Sequence, residues 1–296
     1  IEGRIPGNAW VRGEGDIFFV TEKGRELAMK LKDRGVRRIE GGVLVDNSFF
    51  EPLAVQVCLD PNCNDAYNPV ISATSIDFNG ITFHVLPGKK PGAPAQVTWS
   101  PQGDYVDLIS QAVTAGKKVR APLSIQSLGL TQEGRERFRV SGGISIRNTW
   151  GSTYRFSVAD PAAFFTRSFA ASLHDAGIEV TGAERGTGGL PANAKRLAVY
   201  ESPPLKDLVY GLNRHSNNFM AETLLRSLGA RALGNPGTVA KGLSMVHRTL
   251  HDLGISEREV VLDNGSGLSR KSLASPRAFC RLLRVAHQDP IIGPVL

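Results

Sequence analysis

A serine and an asparagine stand two positions apart in Leu212-Asn213-Arg214-His215-Ser216-Asn217-Asn218-Phe219. Their types and spacing suit proton transfer. A hydroxyl at position 216 can relay a proton between a neighbouring base and a departing amine. The carboxamide of Asn218 donates and accepts hydrogen bonds at once, so it can hold both a lysine ammonium and a substrate backbone. The same residue types also cap helices, and the triplet alone does not separate the two roles. Its position adds information. Leu205, Leu208, Val209 and Leu212 recur at helical spacing before it, and Phe219, Leu224, Leu225 and Leu228 after it. The triplet therefore falls at a break between two helices, where both side chains can face one cleft. An esterase pairing Ser216 with His215 is disfavoured, because neighbouring side chains at a helix start diverge and no third orienting group stands near.

Other constellations fall short of a site. His247 and His251 have the four-residue spacing of a zinc-binding pair but lack the intervening glutamate, so they read as a solvated helix face. Gly13-Glu14-Gly15 lacks the third glycine of a dinucleotide fingerprint. Ser266 is flanked two positions away by Asn264 and Leu268 rather than by the glycines of a nucleophile elbow. Cys58 and Cys63 bracket a turn-forming Leu-Asp-Pro-Asn with no other zinc ligand nearby, which favours a short local disulfide and an oxidising compartment. Cys280 lies in an apolar helical pattern and reads as a small core residue.

Composition bounds the possibilities. The chain has 296 residues, is 41% hydrophobic and 21% charged, and has no run of apolar residues long enough to span a membrane as a helix. Its net charge of +7 suits a polyanionic partner, yet the basic residues are scattered and form no stripe with interleaved aromatics, so no nucleic-acid partner is expected. Residues 1–4, Ile-Glu-Gly-Arg, have no apolar core and no small-residue cleavage site, so they are not a signal peptide. They match a protease recognition site, but they fall where a strand is expected and are read as native.

The elements that must position these residues follow an α/β plan. A helix is expected with Thr21 as its cap, Leu27, Ala28 and Leu31 on one face and Gly35 as its stop; an apolar strand covers Ile39 to Asp46. Alternation at Ile76 and Phe78, then Asn79-Gly80, then Ile81, Phe83 and Val85 predicts a hairpin. Further short strands are expected near Val97, 123–125, 138–140 and 144–146. Asp160-Pro161 opens a helix with Phe165, Phe169 and Leu173 inward and Gly177 at its end, and Ile178 to Val180 reads as a strand. Beyond the glycine-rich stretch 181–193 the chain reads as helical. The second helix of that part is expected to run to Gly229, a third from Thr238 to Leu253, and a fourth from Ser275-Pro276 through Phe279, Leu282, Leu283 and Ala286.

Several separated stretches resemble one family. Ser216 to Asn218 in its helical setting, followed by Asp263-Asn264-Gly265-Ser266-Gly267-Leu268-Ser269-Arg270, is similar to the D-alanyl-D-alanine carboxypeptidase/endopeptidase family, the class C low-molecular-mass penicillin-binding proteins. So are Trp10 to Asp16, Val43 to Phe50 and Ser72 to Asn79, in order along essentially the whole chain. The resemblance implies a penicilloyl-serine-transferase domain with two domains inserted between its Ser-x-x-Lys and Ser-x-Asn motifs. On that pattern the chain is a multi-domain α/β protein. Residues 1–70 and 151–190 form an inserted α/β domain, 71–150 an inserted β-rich domain, and 191–296 a partial, mainly helical transpeptidase-like domain.

The resemblance also implies roles. Ser216 and Asn218 become catalytic, and Asp46 becomes the carboxylate that meets the free amine of a peptide stem. Ser266 and Ser269 shape the cleft floor or bond local backbone, and Arg270 lies at the surface. Peptidoglycan stems and β-lactams become the partners, with no metal or cofactor and a periplasmic or otherwise extracytoplasmic location. The departures are definite: no serine is followed three residues later by lysine, and neither Lys-Thr-Gly nor Lys-Ser-Gly occurs. The family places its nucleophile and base upstream of the inserted domains. The sequence is thus expected to be an internal fragment without turnover of its own. The alternative is a non-catalytic wall-binding or scaffold protein of the same shape.

Overall fold

A computed structural model describes residues 3–52, 64–119 and 121–295. The first part is a small α/β layer. Strands β1 (Arg4–Ile5) and β3 (Arg38–Ile39) run parallel, and β2 (Ala9–Arg12) runs parallel to β4 (Val43–Asp46). The single strand expected over Ile39 to Asp46 is broken at Gly41-Gly42. A Cβ on Gly42 would lie 2.1 Å from the Glu184 carbonyl oxygen, so a second chain segment passes too close for a side chain there.

Between these strands lies α1 (Thr21–Asp33). Thr21 is not its cap. Val20 occupies that position without a side-chain hydrogen bond, and the Asp77 carboxylate, 56 residues on, accepts from the Thr21 amide at 3.0 Å and from the Thr21 hydroxyl. A remote acid thus satisfies a helix N-terminus that local sequence does not.

The β-rich part has three sheets. Strand β5 (Gly80–Leu86) lies between β6 (Gln96–Ser100) and β12 (Ser152–Ser157), antiparallel to both. Strand β10 (Glu136–Ser141) lies between β7 (Val106–Ser110), to which it is parallel, and β9 (Ser124–Leu130), to which it is antiparallel. Strands β8 (Val113–Ala115) and β11 (Gly143–Ser145) form a short parallel pair.

The hairpin predicted at Asn79-Gly80 is absent. Asp77, Phe78 and Asn79 form one left-handed turn with φ of 48°, 60° and 52°, while Gly80 is extended. The fully buried Asn79 amide donates to the Val70 carbonyl at 2.7 Å and to Ser75 Oγ at 3.0 Å. Tertiary hydrogen bonding at Asn79 overrides the local turn preference.

Helix α2 (Pro161–Asp175) begins as its sequence requires: the Asp160 carboxylate accepts from the amides of Ala162 and Ala163. It buries Phe164, Phe165, Phe169 and Leu173, packs on α1 and on β4, and ends before Gly177 at φ 80°. Strand β13 (Glu179–Val180) then joins β3 in parallel. One continuous apolar core runs from α1 and β4 through α2 into the β-rich sheets, where Phe83 and Phe138 meet at 4.8 Å between ring centroids.

The last part is helical: α3 (Leu205–His215), α4 (Asn218–Leu233), α5 (Val239–Asp252) and α6 (Pro276–Gln288), with a two-strand ribbon of β14 (Val260–Val261) and β15 (Leu273–Ala274) before α6. Helix α4 passes through Gly229 and ends at Gly234 (φ 83°). Gly229 serves packing instead, since a Cβ there would come within 2.7 Å of the Gly242 amide on α5. Helix α6 buries Ala278 and Ala286 but leaves Phe279 56% and Leu283 53% exposed. Cys280 on the same helix is an exposed free thiol rather than a core residue, because nothing among the described residues covers that side of α6. Cys58 and Cys63 lie outside the described residues.

Candidate active site

The junction between α3 and α4 is built around one residue in an unusual conformation. Ser216 ends α3 in the left-handed region, at φ 48° and ψ 51°. That reverses the chain direction and starts α4 two residues later. Capping of α4 falls to Asn217, whose side chain accepts from the Met220 amide at 3.1 Å. The capping alternative for Ser216 is therefore taken by its neighbour. Ser216 is solvent-exposed, and its hydroxyl makes no hydrogen bond among the described residues.

Asn218 is half-buried at the first position of α4, and its side-chain nitrogen donates to the Tyr67 carbonyl at 2.8 Å. Below it, Phe219 and Met220 are buried against Ile17 and Leu208, and Phe78 meets Phe219 edge to face at 5.9 Å. The left-handed turn 77–79 thus buttresses the junction. Ser216 and Asn218 flank the same junction without a hydrogen bond between them; the Asn218 carboxamide nitrogen is engaged and its oxygen faces no donor among the described residues.

One turn further along α4 stands Glu222, which no local sequence motif marks. Its Oε1 accepts from the amides of Gly265 and Ser266, each at 2.9 Å, and its Oε2 pairs with Arg226 at 3.0 Å. Gly265 must be glycine, because a Cβ there would meet the Ala221 carbonyl oxygen at 2.8 Å. The loop of Asp263 to Ser269 is thereby clamped against the side of α4 that carries Asn218. Within it, the Ser266 and Ser269 hydroxyls accept from the amides of Leu268 and Lys271, and Arg270 is exposed. The only signal in the sequence was the four-residue spacing of Asn218 and Glu222.

Asp46 is buried at the end of β4. Its Oδ1 accepts from the Ser48 amide at 2.9 Å, and its Oδ2 lies 4.0 Å from Arg12 Nε. It shares no hydrogen bond with Ser216 or Asn218. Its surroundings, Ala73 and Thr74, approach α4 through Gly15, which meets Ser227. Residues 218 to 227 span about 14 Å of helix at about 1.5 Å per residue. Among the described residues no group of three His, Cys, Asp or Glu side chains converges as a metal site, and His247 and His251 gain no third ligand.

Comparison with known proteins decides the family. The sequence model of the D-Ala-D-Ala carboxypeptidase 3 (S13) family matches residues 2–296. The chain belongs to this family. It is 29% identical over 287 residues to the D-alanyl-D-alanine carboxypeptidase of Actinomadura sp. strain R39, covering 94% of this chain and 52% of that protein. It is 26% identical over 284 residues to the D-alanyl-D-alanine carboxypeptidase DacB of Haemophilus influenzae, covering 95% of this chain and 58% of that protein. The S13 chain thus spans about half the length of these curated relatives. Its fold is that of penicillin binding protein 4 (dacB) from Haemophilus influenzae, with a TM-score of 0.76 at 24% identity over 97% of this chain and 61% of that one. The same protein complexed with a β-lactam gives a TM-score of 0.72 at 23% identity.

Proposed function

We propose that this S13 chain is part of a serine-type D-Ala-D-Ala carboxypeptidase or endopeptidase. Its full form cleaves peptidoglycan stems through an acyl-serine intermediate and is acylated by β-lactams outside the cytoplasm. The observation that carries this reading is the α3–α4 junction: an exposed Ser216 hydroxyl relieved of capping by Asn217, beside an Asn218 carboxamide pinned through its nitrogen. In this reading Ser216 relays the proton between a lysine base and the leaving amine. Asn218 orients that lysine and the substrate backbone, and Glu222 fixes the glycine-rich loop beside them. Residues 1–70 with 151–190, and 71–150, are the inserted domains, with strand β12 crossing that boundary to pair with β5; 191–296 belong to the transpeptidase-like domain. Asp46 receives the stem's free amine, with Arg12 competing for its carboxylate.

Labelling with fluorescent penicillin tests the proposal. The 296-residue chain has no Ser-x-x-Lys and should remain unlabelled, whereas a longer form carrying Ser-x-x-Lys and Lys-Thr-Gly should label. In that form Ser216→Ala should slow acylation by roughly 10²–10⁴-fold. Asp46→Asn should raise KM for stems with a free amine while leaving β-lactam acylation intact. Labelling of the 296-residue chain at Ser216 would refute the relay role. Flanking coding sequence without either motif would favour the non-catalytic scaffold.

A further inference from the structure

The β-rich part carries its charge unevenly. Residues 78–103, 108–132 and 137–159 contain no aspartate or glutamate. Of the acids between these stretches, Glu136 is buried against Tyr105 and Ser127, Asp107 pairs with Arg137, Asp104 with Arg167, and Glu133 is exposed in the β9–β10 turn, bonded to Thr131. Three acid-free loops converge on Thr114. Its carbonyl accepts from the Gly92 amide at 2.8 Å, and its hydroxyl from the Gly88 amide at 2.7 Å. Its strand β8 pairs with β11, whose Ser145 hydroxyl donates to the Gly116 carbonyl. The loop after β11 folds back through Asn148, and a Cβ on its Gly151 would touch Leu86 Cδ2 at 2.8 Å.

Lys89 and Lys90, Lys117 and Lys118, and Arg147 therefore share one end of this part. All five are exposed, and none has an ion-pair partner among the described residues. Among them Trp150 is 96% exposed, with Leu86 and Val119 partly exposed beside it.

We propose that this end of the β-rich part docks on the surface of an anionic lipid bilayer, Trp150 entering the interfacial layer and the five cations facing the headgroup phosphates. Indole is amphipathic and settles at such interfaces, and each lysine or arginine near an anionic surface adds attraction. A soluble polyanion would use the charges but leave the apolar tip in water. The mode is peripheral, since no helix among the described residues is long and apolar enough to cross a membrane.

The test is co-sedimentation of the 296-residue chain with vesicles of phosphatidylcholine alone or mixed with phosphatidylglycerol, at low and high salt. Binding to the anionic vesicles alone is expected, with a blue shift of tryptophan emission, and high salt should abolish it. Lys89→Gln/Lys90→Gln should weaken partitioning by about 30-fold, at about 5-fold per charge. Trp150→Ala, at a bare position that leaves folding intact by circular dichroism, should remove the shift and weaken binding. Absent binding, unchanged binding of the Trp150 variant, or lysine-dependent binding to heparin without a vesicle-induced shift would each overturn the proposal. The last result would assign the surface to a soluble anionic polymer.

Discussion

Ser216 holds a left-handed conformation that costs a non-glycine residue on the order of 1 kcal/mol. Ser216→Gly removes that strain along with the hydroxyl. It should stabilise the chain by about 0.5–1 kcal/mol in urea unfolding, while lowering β-lactam acylation of the longer form; a stability gain without an acylation loss would separate Ser216 from chemistry. Glu136 offers a second test. It is fully buried, accepts from Tyr105, Ser127 and the Ala159 amide, and burial raises its carboxyl above the usual 4.5. Because the folded value is raised, the associated stability is fully present below pH 4.5 and is lost as pH rises through the folded value. Glu136→Gln can keep the three contacts by reversing the Ser127 hydroxyl, so it should fold and show a flatter stability–pH curve. Glu136→Ala should lose about 3 kcal/mol through orphaned polar groups. The helix break at Ser216 was legible because its signal is local. Glu222 was not, because its partners lie 43 and 44 residues away in a loop whose approach to α4 only the fold defines.

At the scale of elements, α2 was fully legible: an Asp-Pro start, an apolar face and a glycine stop act within a few residues. Asp160→Ala should cost about 1 kcal/mol of thermal stability through the lost cap. The Asn79-Gly80 hairpin was misread, because the Asn79 side chain spends its donors on Val70 and Ser75 rather than on a turn. Gly229 in α4 looks like a stop in sequence but, with Gly242 on α5, acts as a spacer between packed helices. A Cβ on Gly242 would sit 2.2 Å from the Leu225 carbonyl oxygen. Gly242→Ala should therefore separate α5 from α4 and destabilise by about 1–3 kcal/mol, measured by chemical denaturation. An unchanged midpoint would show that the helices part without loss.

Across the whole molecule, the resemblance carried by stretches from Trp10 to Arg270 foretold a family and an α/β plan that the fold and the family match bear out. It could not foretell the sheet partners, since β10 takes β7 in parallel rather than only its sequence neighbour β9, and non-local pairings leave no local mark. Nor could it show that α6 turns Phe279 and Leu283 outward. An apolar helix face of this kind drives association in water. The 296-residue chain should self-associate reversibly in sedimentation velocity, and Phe279→Ser/Leu283→Ser should shift it toward monomer without changing its melting temperature by more than a few degrees.

The carboxylate that completes the start of α1 comes from Asp77, 56 residues later in the chain. During synthesis at about 5–20 residues per second, that carboxylate leaves the ribosome roughly 3–11 s after Thr21 does. Until then the emerging helix has an open first turn, and its amides are bare to water. Ordering of α1 is thus tied to translation reaching the turn at 77–79, so slow codons between the two would lengthen the interval in which a nascent chain is open to proteases and chaperones.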